Sequence, residues 1–181
     1  MIYLDDLGKI ACNNILKKMS DKIRIKNALI SVFDKNGLEE IVKQLSDFNI
    51  DLYSTGGTEK FIKDLDIKVN KIEDLTTYPS ILGGRVKTLH PNVFGGILAR
   101  RDNTNDQEQL KKYDIPEFDL VIVDLYPFEE TVKNNCIHQE IIEKIDIGGI
   151  SLIRAGAKNY KDVLVVSQKK QYTEILEILK N

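Results

Sequence analysis

The stretch Gly83-Gly-Arg-Val-Lys-Thr-Leu-His-Pro91 sets two cations one residue apart beside a hydroxyl, an imidazole and a glycine pair. Only Val86 and Leu89 are apolar, so it fits neither an amphipathic helix nor a half-buried strand. Arg85 offers a planar fork of donors, Lys87 a compact point charge and Thr88 a hydroxyl, a set suited to a phosphorylated ligand. Glycines let backbone approach such a ligand closely. A polar surface loop with solvated charges is the plainer reading, and the density of special residues weighs against it.

A second cluster, Ser54-Thr55-Gly56-Gly57-Thr58, lies where a strand gives way to a helix. Backbone N–H groups at a helix start, with hydroxyls beside them, make an anion cradle. Ordinary helix capping by Thr58 is the competing use. Lys35, just after the first strand, is expected on the same sheet edge, although a lone lysine is more often solvated. Tyr126 follows the strongest strand directly, so its ring should emerge at that edge as a packed aromatic or a site residue. Asp124 at the same strand end needs a partner, from a donor-rich ligand or a backbone N–H.

The third cluster runs from Asp146-Ile-Gly-Gly149 to Ala157-Lys-Asn159. Asp146 stands at a helix start, where an N-cap role competes with a chemical one. Ser151, Arg154 and Lys158 share one helical face. Ala155, Gly156 and Ala157 around Lys158 suggest limited solvent, which would lower a lysine pKa toward the range useful for proton transfer. His90 is read as bracing its loop and His138 as a surface residue at a helix start.

These clusters need a scaffold, and the chain alternates strand and helix signals from Asn27 onward. Strands are expected at Ala28–Phe33, Ile50–Tyr53, Ile67–Ile72, Phe118–Leu125 and Val163–Val166. Helices are expected from Leu38 to Phe48, after Thr58, and near Gln107–Tyr113, Gln139–Lys144, Ile150–Asn159 and from Gln171, while Val93–Leu98 is an apolar segment of unassigned type. Repeated βα units imply a mainly parallel sheet with helices on both faces, and such sheets bind ligands at the carboxyl ends of their strands.

The chain of 181 residues has a formal net charge of -2 with 30% charged residues, so a phosphate binder here must use a local cluster. That balance argues against general nucleic-acid or membrane-surface binding, and no apolar run reaches bilayer length. The first residues lack the pattern of a signal peptide. Cys12 and Cys136 are isolated and the two histidines give no zinc spacing. A reduced cytoplasmic protein with no structural metal is expected.

In combination the chain resembles the inosine monophosphate (IMP) cyclohydrolase domain of the bifunctional purine-biosynthesis enzyme. The likeness rests on Ser31-Val-Phe-Asp-Lys35, Ser54–Thr58, Leu82–Pro91, Asp124-Leu-Tyr-Pro-Phe128, Asp146–Gly149 and Ala157–Asn159, in that order. It implies a methylglyoxal-synthase-like α/β fold over residues 25–172, with 1–24 an N-terminal extension. Residues 173–181 would then begin the formyltransferase region that the family carries next. Leu4, Leu7 and Ile10 fit a weak helical face in the extension.

The implied reaction closes 5-formamidoimidazole-4-carboxamide ribonucleotide to IMP with loss of water. The resemblance assigns proton transfer to Lys158, with Asp146 orienting or accepting a proton, and puts Lys87 and Tyr126 on the reacting groups. Phe33, Asp34, Lys35, Ser54, Thr55, Gly56, Gly57, Thr58, Arg85, Val86, Thr88, Val123, Asp124, Ile147 and Gly148 match its nucleotide-contacting segments. It implies no cofactor, since the ring closure changes no oxidation state; 10-formyltetrahydrofolate serves only the absent formyltransferase. A homodimer is allowed. Two departures stand out: Phe33 replaces a small hydroxyl residue, and Gly156 replaces alanine, which would loosen the helix by about 1 kcal/mol. A methylglyoxal synthase and a non-catalytic nucleotide sensor are the alternatives on this fold.

Overall fold

In a computed structural model that describes residues 24–134 and 137–180, five strands form one parallel sheet. The strands are β1 (Asn27–Ser31), β2 (Asp51–Ser54), β3 (Asn70–Lys71), β4 (Leu120–Val123) and β5 (Leu164–Val166). Their spatial order is β3-β2-β1-β4-β5, so the winding reverses at β1. The crevice outside the carboxyl ends of β1 and β4 is therefore the expected ligand position. The extension before residue 24, with its weak helical face and Cys12, lies outside the described residues, as does Cys136.

Period-two alternation splits the strand side chains between two cores. Ala28, Ile30, Leu120 and Ile122 face one side, where α1 (Leu38–Asp47), α2 (Gly56–Lys63) and α9 (Tyr172–Lys180) cover them. Leu29, Val121 and Val123 face the other, under α3 (Ile72–Thr76), α4 (Pro91–Leu98) and α8 (Gly148–Lys158). Remaining helices are α5 (Thr104–Lys112), α6 (Phe128–Lys133) and α7 (His138–Ile142). In α1 the buried Leu38, Ile41, Val42 and Leu45 recur at the expected three- and four-residue spacing. Each such side chain contributes about 1.5–3 kcal/mol on full burial. Ile175 of α9 enters the same core as α1, so 173–180 is packed into this domain.

Three elements differ from the sequence reading, and one is α6, since no helix was expected over 128–133. Only Asn70 and Lys71 of the expected third strand pair with β2, and Ile72 instead opens α3 and is buried. Ile67 and Val69 spend their apolar side chains on the α1 core, which outweighs their strand propensity. The apolar segment after Pro91 is helix α4. Pro91 sits at its first turn, and His90 caps it by accepting the Asn92 N–H at Nδ1, 3.1 Å away. His90 thus braces its loop, as read from the sequence.

Candidate functional site

Five segments meet at the carboxyl edge of the sheet, and Asp124 ties the end of β4 to the loop after β1. Its carboxylate accepts the backbone N–H groups of Phe33 and, at 2.9 Å, of Asp34. The partner that Asp124 requires is thus the loop after β1. The carboxylate of Asp34 accepts the Asn36 N–H and pairs with Lys169 at 3.4 Å. The Asn36 bond, with a smaller contribution from Lys169, lowers the Asp34 pKa.

Several expected ligand contacts turn inward instead. Ser54 is fully buried and donates to Ile30 O at 2.7 Å. Thr58 donates to Val32 O and accepts the Val32 N–H, so its hydroxyl closes the end of β1. Thr55 donates to Glu73. Val123 is buried in β4 opposite Ser31. Val86 uses both its N–H and its C=O on Ile81. A polar atom buried at a strand end must find a partner, and nearby backbone supplied it. These residues shape the edge and do not face into it.

What the edge presents is the glycine pair and two lysines. Gly56 and Gly57 are exposed at the start of α2, and Gly56 has φ +57°, a conformation that other residues rarely adopt. A Cβ at Gly56 would lie 3.3 Å from Lys87 Nζ, and one at Gly57 3.8 Å from Lys35 Nζ. Two ammonium groups therefore converge on a helix N-terminus, an arrangement that favours an anion. Lys35 Nζ is anchored on Val32 O and Phe33 O at 2.8 and 2.9 Å. An ammonium carries three donors, so this anchoring leaves capacity for a ligand. Burial lowers the Lys35 pKa; Asp124 opposes that, Lys87 adds to it, and Asp34 opposes it.

The Gly83–Pro91 loop is a tight turn closed by the Ile81–Val86 bridge, with positive φ at Leu82, Gly83 and Gly84. Lys87 points from it toward α2. Buried Thr88 meets the start of α8, where a Cβ on Gly148 would lie 3.2 Å from Thr88 Oγ1. Arg85 is engaged with Glu143 at 2.9 Å, an exposed pair beside the site.

At the α8 start Asp146 accepts the Gly149 N–H at 2.6 Å, in the manner of an N-cap. A Cβ on Gly149 would lie 2.7 Å from the same carboxylate, so this close approach requires glycine. Ile147 is exposed and Gly148 half-buried at the same turn. Tyr126 packs edge-on against Phe33 with ring centroids 5.2 Å apart. Burial raises its phenol pKa, with Asp146 and Asp124 adding to the effect.

Lys158 stands elsewhere. It is the exposed last residue of α8, about 15 Å along the axis from Gly148. The small residues beside it serve the sheet: Ala155 and Gly156 are buried, and a Cβ on Gly156 would lie 2.3 Å from Val165 Cγ2. The expected low-solvent setting for Lys158 is thus absent. Asn159 is structural, donating to Ile97 O and Ala99 O at 2.9 Å. Ser151 donates to Ile147 O, and Arg154 is exposed.

Sequence reasoning missed Lys144 and Glu143. Lys144 Nζ lies 5.0 Å from the Phe33 ring centroid and 5.4 Å from that of Tyr126. Glu143 holds Arg85 and also accepts from Gln139. Arg85 lies 58 residues from Glu143, and the rings under Lys144 lie on other segments, so no local signal marks either contact. Among the described residues no group of three or more His, Cys, Asp or Glu is placed to hold a metal ion.

The parallel sheet, wound both ways from β1 with its cationic crevice at the reversal, defines a doubly wound α/β domain with a carboxyl-edge site. A family model described as MGS-like domain matches residues 37–151, and the chain belongs to that family. It is 60% identical over 161 residues to the bifunctional purine biosynthesis protein PurH of Bacteroides thetaiotaomicron, covering 89% of this chain and 32% of that protein. Against PurH of Clostridium perfringens it is 49% identical over 155 residues, covering 86% and 31%. Against PurH of Rhodopirellula baltica it is 48% identical over 162 residues, covering 89% and 31%. A solved structure described as a crystal structure of ForH superposes with a TM-score of 0.72 at 33% identity, covering 86% of this chain and 78% of that one. The chain spans about a third of the length of the PurH relatives.

Proposed function

We propose that this domain is an IMP cyclohydrolase, closing 5-formamidoimidazole-4-carboxamide ribonucleotide to IMP. One observation carries the reading above the others. The Lys87 loop joins an anion cradle at the α2 start to the α8 start that bears Asp146, with Tyr126 beside it. The 5′-phosphate occupies the cradle of Lys35, Lys87 and the Gly56–Gly57 backbone, and the heterocycle extends toward Tyr126 and Asp146.

In the reaction the carboxamide nitrogen attacks the formyl carbon, and the formyl C=O becomes a tetrahedral oxyanion. Two of the three N–H protons then leave with that oxygen as water, and a C=N bond forms. Fixing both groups in one crevice supplies much of the rate advantage. The Ile147 and Gly148 N–H groups at the α8 start stabilise the oxyanion. Asp146 accepts a proton from the attacking nitrogen, and Tyr126, whose phenol stays protonated, donates to the departing oxygen. Lys158 cannot join this set from within its own chain; a proton-transfer role for it requires a second copy. The ring closure uses no cofactor. Formyl transfer from 10-formyltetrahydrofolate is not assigned to this domain, and the setting we propose is cytoplasmic.

The alternative on this fold, a methylglyoxal synthase, would eliminate phosphate from dihydroxyacetone phosphate. Supplying both substrates separately tests the assignment. Conversion of the formamido ribonucleotide alone supports it, and methylglyoxal release with an inert ribonucleotide overturns it.

A further inference from the structure

Phe33 is 43% exposed at the mouth of the crevice, too open for a core residue. Its ring nevertheless meets Tyr126 edge-on, at an interplanar angle of 76°. Aromatic rings prefer this arrangement because the positive edge of one faces the negative face of the other. Lys144, from the segment after α7, brings its ammonium within cation–π range of both rings at once. Three segments remote in sequence, after β1, after β4 and after α7, thus meet on one aromatic corner.

The main chain is held at both Phe33 and Tyr126. The Phe33 N–H is held by Asp124, two residues before Tyr126. Lys144 lies two residues before Asp146. Pro127 and the Phe128 N–H to Tyr126 O bond, at 2.8 Å, set the backbone of Tyr126. Phe33 and Lys144 both pack against its ring. A small residue at position 33 would remove the ring that limits rotation of the phenol and the surface over which Lys144 lies.

We propose that Phe33 is a positioning residue, fixing the Tyr126 phenol for proton transfer and seating Lys144 over both rings. The catalytic consequence rests on the cyclohydrolase reading above; the positioning itself does not. The structural arm uses the ligand-free full chain, with tyrosine rings labelled for NMR and Tyr126 assigned by its loss in Tyr126→Phe. Phe33→Leu should move the Tyr126 ring resonances and its phenol titration, whereas Phe33→Tyr, which keeps the edge-to-face contact, should restore both. An unmoved Tyr126 in Phe33→Leu, with the thermal midpoint retained, overturns the proposal.

The kinetic arm uses the formamido ribonucleotide. Phe33→Leu should lower kcat about tenfold with KM within about twofold, since the loss falls on the transition state, and Phe33→Tyr should recover most of it. A raised KM at unchanged kcat would make Phe33 a binding contact and overturn the positioning role. If the wild-type chain turns over no ribonucleotide, the cyclohydrolase reading fails and the NMR arm still decides the positioning.

Discussion

Gly56→Ala should damage the anion cradle at a single atom. Gly56 has φ +57°, a conformation that costs other residues about 1–2 kcal/mol. The added methyl would also stand 3.3 Å from Lys87 Nζ, closer than most Cβ contacts, between the ammonium and the backbone it faces. Loss of one charge-assisted contact to phosphate is worth about 1.5–3 kcal/mol, or roughly ten- to a hundredfold in Kd. Gly57→Ala is the internal control. Its methyl would meet Lys35 Nζ at an ordinary 3.8 Å, and alanine favours the helix by up to about 1 kcal/mol. Titration calorimetry with IMP and with inosine measures both variants. Gly56→Ala should weaken IMP binding and leave the weaker binding of inosine unchanged, while Gly57→Ala stays within about threefold of wild type. Equal IMP affinity in wild type and Gly56→Ala would refute the cradle.

Gly156→Ala should destabilise the fold by about 1 kcal/mol, because crowding against Val165 outweighs the gain in helix propensity. Urea unfolding of Gly156→Ala with and without Val165→Ala checks this, and a stabilised single variant would show that Val165 yields freely. Burial pushes the Tyr172 phenol up to about 12, so the stability it contributes is present below pH 10 and lost as pH rises through that value. Tyr172→Phe should remove about one proton from the alkaline slope of the unfolding free energy, and an unchanged slope would contradict it. Asp146→Ala should lose about 10²–10⁴-fold in turnover, and Lys158→Ala as much only where a second copy brings Lys158 to the site. If a second copy supplies Lys158, mixing the two variants should recover about a quarter of wild-type activity in a twofold-symmetric dimer. Full turnover by Lys158→Ala would remove that lysine from the chemistry.

Much of the architecture was legible because strong local signals agreed with the tertiary structure. Apolar runs such as Leu120–Val123 became buried strands, and the helical spacing of Leu38 to Leu45 became α1. Gly56, Gly57, Lys35 and Lys87 were expected at the carboxyl edge of the sheet and stand together there. What the sequence hid was the destination of hydroxyls and small residues. Thr58 looks like a ligand for phosphate until its hydroxyl is found closing β1. Gly156 looks like a weakness in a helix until Val165 is found filling its place. The resemblance joins Lys158 to Asp146 in proton transfer, yet α8 carries Lys158 to the far end. Lys144 and Phe33 meet across more than a hundred residues, beyond any periodicity.

The most direct test is turnover of 5-formamidoimidazole-4-carboxamide ribonucleotide by the purified 181-residue chain, followed by absorbance and confirmed by chromatography of the product. Saturable conversion to IMP is expected with no added folate or metal, competitively inhibited by inorganic phosphate and greatly slowed in Asp146→Asn. Tight binding of the ribonucleotide with no formation of IMP would contradict it and leave a nucleotide-sensing domain on the same scaffold.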